Sequence, residues 1–393
     1  MALVSLKAET VLPSDGTAGT LIGRVWRPDV DGPSVVVCRG DSLYDITRVF
    51  PTVRDLCEQK NPAQAARAAS AERIGSIDEI LANTTVRGRN AKLPWLLAPI
   101  DLQAVKAAGV TFVVSMLERV IEERARGNPA AAAAIRAEIG KLVGADLTKL
   151  RPGSAEAAKL KDVLIAQGVW SQYLEVGIGP DAEIFTKAQP MSAVGTGADA
   201  GIHPASTWNN PEPEVVLVVS SQGKIVGATL GNDVNLRDVE GRSALLLGNA
   251  QHNHASCAIG PFVRLFDSTF SLDHVRRTDV SLTVEGPDGF VMTGTSSIGK
   301  ISRDPADLVR QMIGPNHQYP DGAVLFLGTM FAPTQDRGEK GKGFTHMVGD
   351  IVTISANGLG SLSNRIVRTH EAPPWTYGVG QLMRNLSRRG VLS

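Results

Sequence analysis

Apolar residues fall along this chain in short, β-branched runs parted by glycine-containing turns, and the pattern changes character twice. Residues 1 to about 95 mix runs such as Thr20–Trp26 and Ser34–Cys38 with polar turns and helical patches, which reads as a small α/β unit. From Ser115 to about Gly168 the sequence turns helical and alanine-rich, broken at Pro152-Gly153. Asn128-Pro129, ahead of a run of alanines, predicts a helix start with proline at its first position. From Phe185 onward strands dominate, with Glu214–Ser220, Val280–Val284, Val324–Leu327 and Ile351–Ile354 the clearest. The expected fold class is α+β, with a smaller N-terminal α/β domain over 1–97 and a larger unit over 98–393. The helical stretch at about 115–168 would be an insertion, or lid, in the second unit.

The most informative run is Pro211 to Asp233. Two apolar arms flank Gln222-Gly223, which predicts a hairpin with Ser221 opposite Lys224. Counting outward from that turn places Glu212 opposite Asp233. Glu212 and Glu214 are two apart and share a face, and directly opposite residues share a face as well. Three carboxylates therefore converge, an arrangement that is unfavourable unless a cation sits between them. With oxygen as the only donor type, the set selects a hard cation, Mg²⁺ or Mn²⁺. The competing reading is a solvated sheet edge, because Pro213 cannot donate to a ladder.

Composition narrows the partners. The 393 residues carry 40 basic and 40 acidic side chains, leaving no electrostatic footprint for nucleic acid or an anionic membrane. Three scattered cysteines argue for a reducing compartment, and the first residues lack the pattern of a secretory signal. No apolar stretch reaches the length of a membrane span, so the expectation is a cytoplasmic protein. Gly195-Thr-Gly197 is not followed by a helix start, which removes a dinucleotide loop. His252-Asn253-His254 lacks a third ligand at zinc spacing and reads instead as a polar wall. Glu118 and Glu122 share a helix face, and Arg119 with Glu123 is expected as a surface pair.

Several segments in consistent order carry a resemblance. They are Glu212-Pro-Glu214, Asn232-Asp233-Val-Asn-Leu-Arg237-Asp238, Cys257-Ala-Ile-Gly260-Pro261, Gly328-Thr329, Gly349-Asp350-Ile-Val352 and Phe185-Thr-Lys187-Ala-Gln-Pro190. Over about residues 100–393 the chain resembles the fumarylacetoacetate hydrolase superfamily. Within it the sequence is most similar to the bacterial 2-keto-3-deoxy-pentonate (arabinonate or xylonate) dehydratases. The resemblance implies a mixed β-roll core with a helical lid, and a divalent metal on Glu212, Glu214 and Asp233. It also implies a homodimer or homotetramer acting on a 2-keto acid. Thr329 and Arg237 would bind substrate, with Ser115 and Gln251 beside them, and Glu118 would transfer a proton from the lid.

Two departures matter chemically. The family's hydrolases carry His-x-x-Glu on the lid, where this chain has Ser115-Met-Leu-Glu118, so the water-activating imidazole is missing and elimination is favoured over C–C hydrolysis. The dehydratase branch usually reads Gly-Lys-Ala-Lys where this chain has Gly248-Asn249-Ala250-Gln251, and neither Asn nor Gln exchanges a proton at neutral pH. His252, His254 or Lys187 is then expected as the replacement base. A hydrolase or decarboxylase of 2,4-diketo or oxaloacetate-like acids, and a non-catalytic metal- and keto-acid-binding paralogue, are the alternatives.

Overall fold

The apolar runs fold into two large β-sheets and one small ribbon. The computed structural model describes residues 4–392 apart from 127, 129–130, 133, 136–149, 167, 169, 334 and 339–342. Strands β1 (Thr20–Arg27), β2 (Gly32–Arg39), β3 (Ser42–Asp45), β4 (Glu72–Ser76) and β5 (Trp95–Leu97) come from the amino-terminal segment. They are followed by β6 (Ala104–Gly109), β7 (Glu183–Ala188), β8 (Asp199–Ile202), β9 (Asn209–Asn210), β10 (Pro213–Val219) and β11 (Ile225–Asp233). The remainder are β12 (Asn235–Leu236), β13 (Cys257–Leu265), β14 (Asp279–Glu285), β15 (Val291–Ser297), β16 (Ala323–Phe326), β17 (Ile351–Ala356) and β18 (Gly360–Arg368).

The main sheet runs β4-β3-β2-β1-β13-β11-β10-β16-β6-β7, with β5 pairing β1, and the second runs β15-β14-β17-β18-β8. Pairing is antiparallel except at β16–β6 and β18–β8. Because β1 pairs β13 from Thr20↔Leu265 to Ile22↔Val263, segment 1–97 extends the same sheet that carries the rest of the chain. The boundary expected at residue 97 is therefore not a break in hydrogen bonding.

Strand β10 shows why its sequence is continuously apolar rather than alternating. Val215, Leu217 and Val219 enter the core shared with Leu282, Val284 and Ile354 of the second sheet, while Val216 and Val218 pack into a second core on the other face. A strand buried on both faces has no polar side. It lies between β11 and β16, so Pro213 opens a central strand and the solvated-edge reading is wrong.

The hairpin register is as counted, but the turn is different. Ser220 N–H donates to the Lys224 carbonyl (2.9 Å) across the three-residue loop Ser221–Gly223, with Gly223 at φ +75°. A register shift then pairs Val219 with Ile225 but Val218 with Gly227, so Val226 is a bulged residue. The extra residue cancels the odd loop length, and Glu212 and Asp233 come opposite each other after all.

Helices Val113–Arg124 and Ala155–Ala166 form most of the described part of the insertion, and the helix Gln172–Ile178 follows it. Met116, Val120 and Ile121 of the first pack with Leu164, Tyr173, Leu174 and Ile178. The predicted helix start at Asn128-Pro129 falls mostly outside the described residues. No helix among the described residues is long and apolar enough to cross a membrane.

Candidate active site

Glu212 immediately precedes β10, Glu214 is its second residue and Asp233 ends β11. The Asp233 N–H donates to the Glu212 carbonyl (3.1 Å), which extends the ladder to this pair. One carboxylate oxygen from each of Glu212, Glu214 and Asp233 lies within 4.8 Å of the others, and all three residues are buried. Burial, and then the Asp233 and Glu212 charges, hold the Glu214 carboxyl well above its usual range. Glu212 is raised as well, by burial first, although Arg119 opposes the shift. Three buried acids this close, with oxygen as their only donor atom, fit a hard divalent cation.

Protein donors also reach Glu212 and Glu214, and an ammonium forms an ion pair with Asp233. Glu212 Oε1 accepts from Arg119 Nη2 (2.6 Å) and from Asn235 Nδ2 (3.1 Å). Glu214 Oε2 accepts from the Gly328 N–H (2.7 Å), and Lys187 Nζ lies 2.5 Å from Asp233 Oδ1. Gly328 has φ +84°, and a Cβ there would lie 2.1 Å from Thr111 Oγ1, so only glycine delivers that amide.

The triad opens into a cavity also lined by Ser115, Glu118, Arg237, Gln251, Thr329 and Phe331. Five of the expected site residues are thus brought together with the metal set. Arg237 is tied down: its guanidinium reaches Glu122 Oε1 (2.6 and 2.7 Å), stands 3.6 Å from Glu118 and stacks over Trp208. Its guanidinium is thus held in a salt bridge with Glu122.

Lys187 and the two histidines lie elsewhere. Lys187 is fully buried behind the triad, donating to Gln251 Oε1 (2.7 Å) and the Val234 carbonyl (3.0 Å), and it is not among the residues lining the triad cavity. The expectation that a His252 or His254 ring faces the pocket is corrected. Gln251 ends a short helix, Leu247–Gln251, and the chain then turns through Ala255 at φ +58°. That turn sends the His252 ring to the Thr186 carbonyl and the His254 ring to the Pro373 carbonyl, beside a separate cavity.

Sequence reasoning missed Glu183, Glu240 and the role of Arg119. Arg119 is not a surface partner of Glu123. It pairs with Glu122 (2.8 Å), Glu212 (2.6 Å) and Glu240 (3.1 Å), while Glu123 accepts from Gln172. Burial pushes the Glu240 carboxyl up to about 8 against the opposing pull of Arg119. Glu183 heads β7 and faces Gly109 across the ladder. A Cβ at Gly109 would lie 1.9 Å from Glu183 Oε2, so the missing side chain clears the space in which this carboxyl reaches the pocket. Burial raises its pKa too. Its only sequence signal was a lone Glu two residues ahead of Phe185, which is not a motif.

Residues 175–367, which carry the oxygen-only triad, match the family described as Fumarylacetoacetate (FAA) hydrolase C-terminal. Over 180 residues (46% of this chain) the sequence is 32% identical to the 2-dehydro-3-deoxy-D-arabinonate dehydratase of Saccharolobus solfataricus, a match spanning 57% of that relative. Over 331 residues it is 26% identical to the probable 2-keto-3-deoxyxylonate dehydratase of Haloferax volcanii, covering 84% of this chain and 93% of the relative. The fold is shared with a solved 2-keto-3-deoxy-D-arabinonate dehydratase complexed with magnesium and 2,5-dioxopentanoate. The TM-score is 0.59 at 20% identity over 88% of this chain and 99% of that one.

Proposed function

We propose that this chain is a magnesium-dependent hydro-lyase that removes water from a 2-keto-3-deoxy pentonate to give 2,5-dioxopentanoate (2-oxoglutarate semialdehyde). The observation that carries the reading is the buried Glu212–Glu214–Asp233 set opening into a pocket with further carboxyls but no imidazole among its described lining residues. The named activities of the two dehydratase relatives, and the magnesium and product in the solved structure, support it.

Glu212, Glu214 and Asp233 hold the cation, which when bound polarises the substrate's keto group and acidifies the adjacent C3–H. Glu183 accepts the C3 proton: burial makes its carboxylate a stronger base than an exposed one, and Gly109 leaves it room. Glu118, on the helix Val113–Arg124 that we read as a lid, protonates the departing C4 hydroxyl as water. A C5 proton then moves to C3, leaving a C4=C5 enol, and transfer of the enol's hydroxyl proton to C4 gives the aldehyde. Thr329 and the Gln251 amide, whose oxygen is engaged by Lys187, orient the keto acid.

The test is a panel of 2-keto-3-deoxy acids incubated with Mg²⁺ or EDTA. Metal-dependent appearance of the semialdehyde is the expected result. Release of two acids or of CO₂ would replace the reading with the hydrolase or decarboxylase alternative.

A further inference from the structure

A second cavity, of about 240 Å³, lies where β1 and β5 meet the segment that follows β18, and it shares no lining residue with the triad pocket. Its walls gather three of the chain's five tryptophans, Trp26, Trp95 and Trp375, together with Tyr377. Trp26 stacks on Trp95 with ring centroids 5.7 Å apart, and it meets the Tyr377 ring nearly at right angles at 5.1 Å. The Trp375 indole N–H donates to the Tyr377 carbonyl (3.0 Å), yet 46% of this residue stays exposed.

Two weakly paired guanidiniums share this aromatic lining. Arg24, only 5% exposed, donates from Nη1 to the Ile100 carbonyl (2.6 Å) and from Nη2 to the Met191 sulfur (3.6 Å). It stands 4.0 Å from Asp101, a carboxylate already occupied by the Val53, Arg54 and Leu102 amides. Arg89 lies over the Trp95 ring at 4.8 Å, and its one hydrogen bond among the described residues runs from Nη2 to the Thr84 carbonyl. The carboxylate whose charge acts on it, Asp199, is held by Arg365 through bonds of 3.0 and 3.1 Å. Burial therefore pushes the Arg89 guanidinium down to about 10, which leaves it charged at neutral pH. Its Nε and the Tyr377 hydroxyl are buried without a hydrogen-bond partner among the described residues.

We infer that this cavity is a second ligand site, for a small aromatic carboxylate whose ring lies against the tryptophans and whose charge is taken by Arg89 and the Tyr377 hydroxyl. Apolar walls with a few convergent polar groups are the usual form of a small-molecule site, and a guanidinium fork matches a carboxylate. The volume falls just below the usual range of about 300–1,000 Å³, which limits the ligand to a compact ring system. With Arg24 engaged by a carbonyl and a sulfur, Arg89 supplies the free charge, which suits one negative charge better than the two of a phosphate monoester. The inference is independent of the metal and of the reaction proposed above.

The tryptophans themselves supply the test. Intact protein labelled with 5-fluorotryptophan gives a fluorine resonance for each indole, assigned with single Trp→Phe variants. Trp26, Trp95 and Trp375 report this cavity, Trp208 against Arg237 reports the triad pocket, and Trp170 reports the helical insertion. Benzoate added without Mg²⁺ should move the first three signals with a Kd of about 1 mM or below and leave Trp208 and Trp170 in place. Benzyl alcohol, of similar size and uncharged, should bind about tenfold more weakly, and so should benzoate on Arg89→Met. No movement at about 10 mM benzoate, or movement at Trp208 alone, overturns the inference. Equal affinity for benzyl alcohol, unchanged benzoate affinity in a folded Arg89→Met, or tighter binding of adenosine monophosphate than of benzoate overturns it as well. The comparison of benzoate with benzyl alcohol uses the wild type, so it decides the matter even if Arg89→Met does not fold.

Discussion

Gly109→Ala offers a way to move one carboxyl by a known amount without touching its chemistry. The new Cβ would lie 1.9 Å from Glu183 Oε2 and 2.7 Å from its carboxyl carbon, while the backbone at Gly109 is ordinary strand. The obstructing atoms are the far end of a flexible side chain, so the protein accommodates the methyl by pushing the carboxyl back by about 1 Å. A misplacement of that size at a reacting centre costs about 10²-fold in rate. Glu183→Gln, which keeps the shape and removes the proton acceptor, should cost about 10²- to 10⁴-fold. In both variants kcat for semialdehyde formation falls, while KM and calorimetric Mg²⁺ affinity stay close to wild type. Stability should not fall, because replacing Gly by Ala at an unstrained position trims the freedom of the unfolded chain, worth about 0.4–1 kcal/mol. The two changes should also be non-additive: once Glu183 is Gln, adding Gly109→Ala has little left to displace. A Gly109→Ala enzyme with wild-type kcat would refute the reasoning, since it would place the Glu183 carboxyl away from the reacting atoms.

Four further outcomes follow. Glu214→Gln should abolish the Mg²⁺ binding heat and raise the thermal midpoint of the EDTA-treated protein, because it removes a buried acid held well above its usual pKa. An acid whose pKa is raised on folding contributes stability that is complete below its unfolded value, here 4.5, and lost as pH rises through the folded one, about 8 for Glu240. In EDTA the melting temperature should therefore be lower at pH 8.5 than at pH 5.5, with Mg²⁺ narrowing the gap; a midpoint that climbs with pH would contradict this. His252→Ala and His254→Ala should leave kcat unchanged, since both rings bond backbone carbonyls beside a different cavity. Arg337→Met should cost about 3 kcal/mol in urea unfolding, because it removes the guanidinium that holds the buried Asp350 by two bonds of 2.6 and 2.8 Å and leaves that carboxylate to His346 and the Met347 amide.

Period-two alternation and hairpin counting made the metal set legible, because side-chain facing in a strand follows from sequence spacing alone. The count reached Asp233 even though its turn was wrong: loop length and bulge each shift the register by one, and here they cancel. What sequence could not supply depends on contacts between distant segments. Arg119 looks like any arginine on an amphipathic helix until the helix is laid over β10, where three carboxylates surround it. Glu183 is anonymous until β7 pairs β6 and puts it opposite a glycine. The two histidines misled for a local reason, since the reading supposed an extended chain after Gln251 where a helix end and a positive-φ alanine reverse its direction. The seam between residues 97 and 98 was drawn on composition, which says nothing about whether two segments share a ladder.

That shared ladder makes the first hundred residues a guard as well as an appendage. Strand β13, whose residues are buried along its whole length, has β11 on one side and β1 on the other. A chain shortened to begin at residue 98 would uncover Val263–Leu265, the part of β13 that β1 pairs, and leave its amides and carbonyls as an open edge, a template on which copies can stack into aggregates. The stripped core should therefore precipitate rather than persist as a smaller enzyme. For the same reason, insertions or fusions near Leu21 threaten solubility before they threaten chemistry, even though this strand contributes no side chain to the pocket.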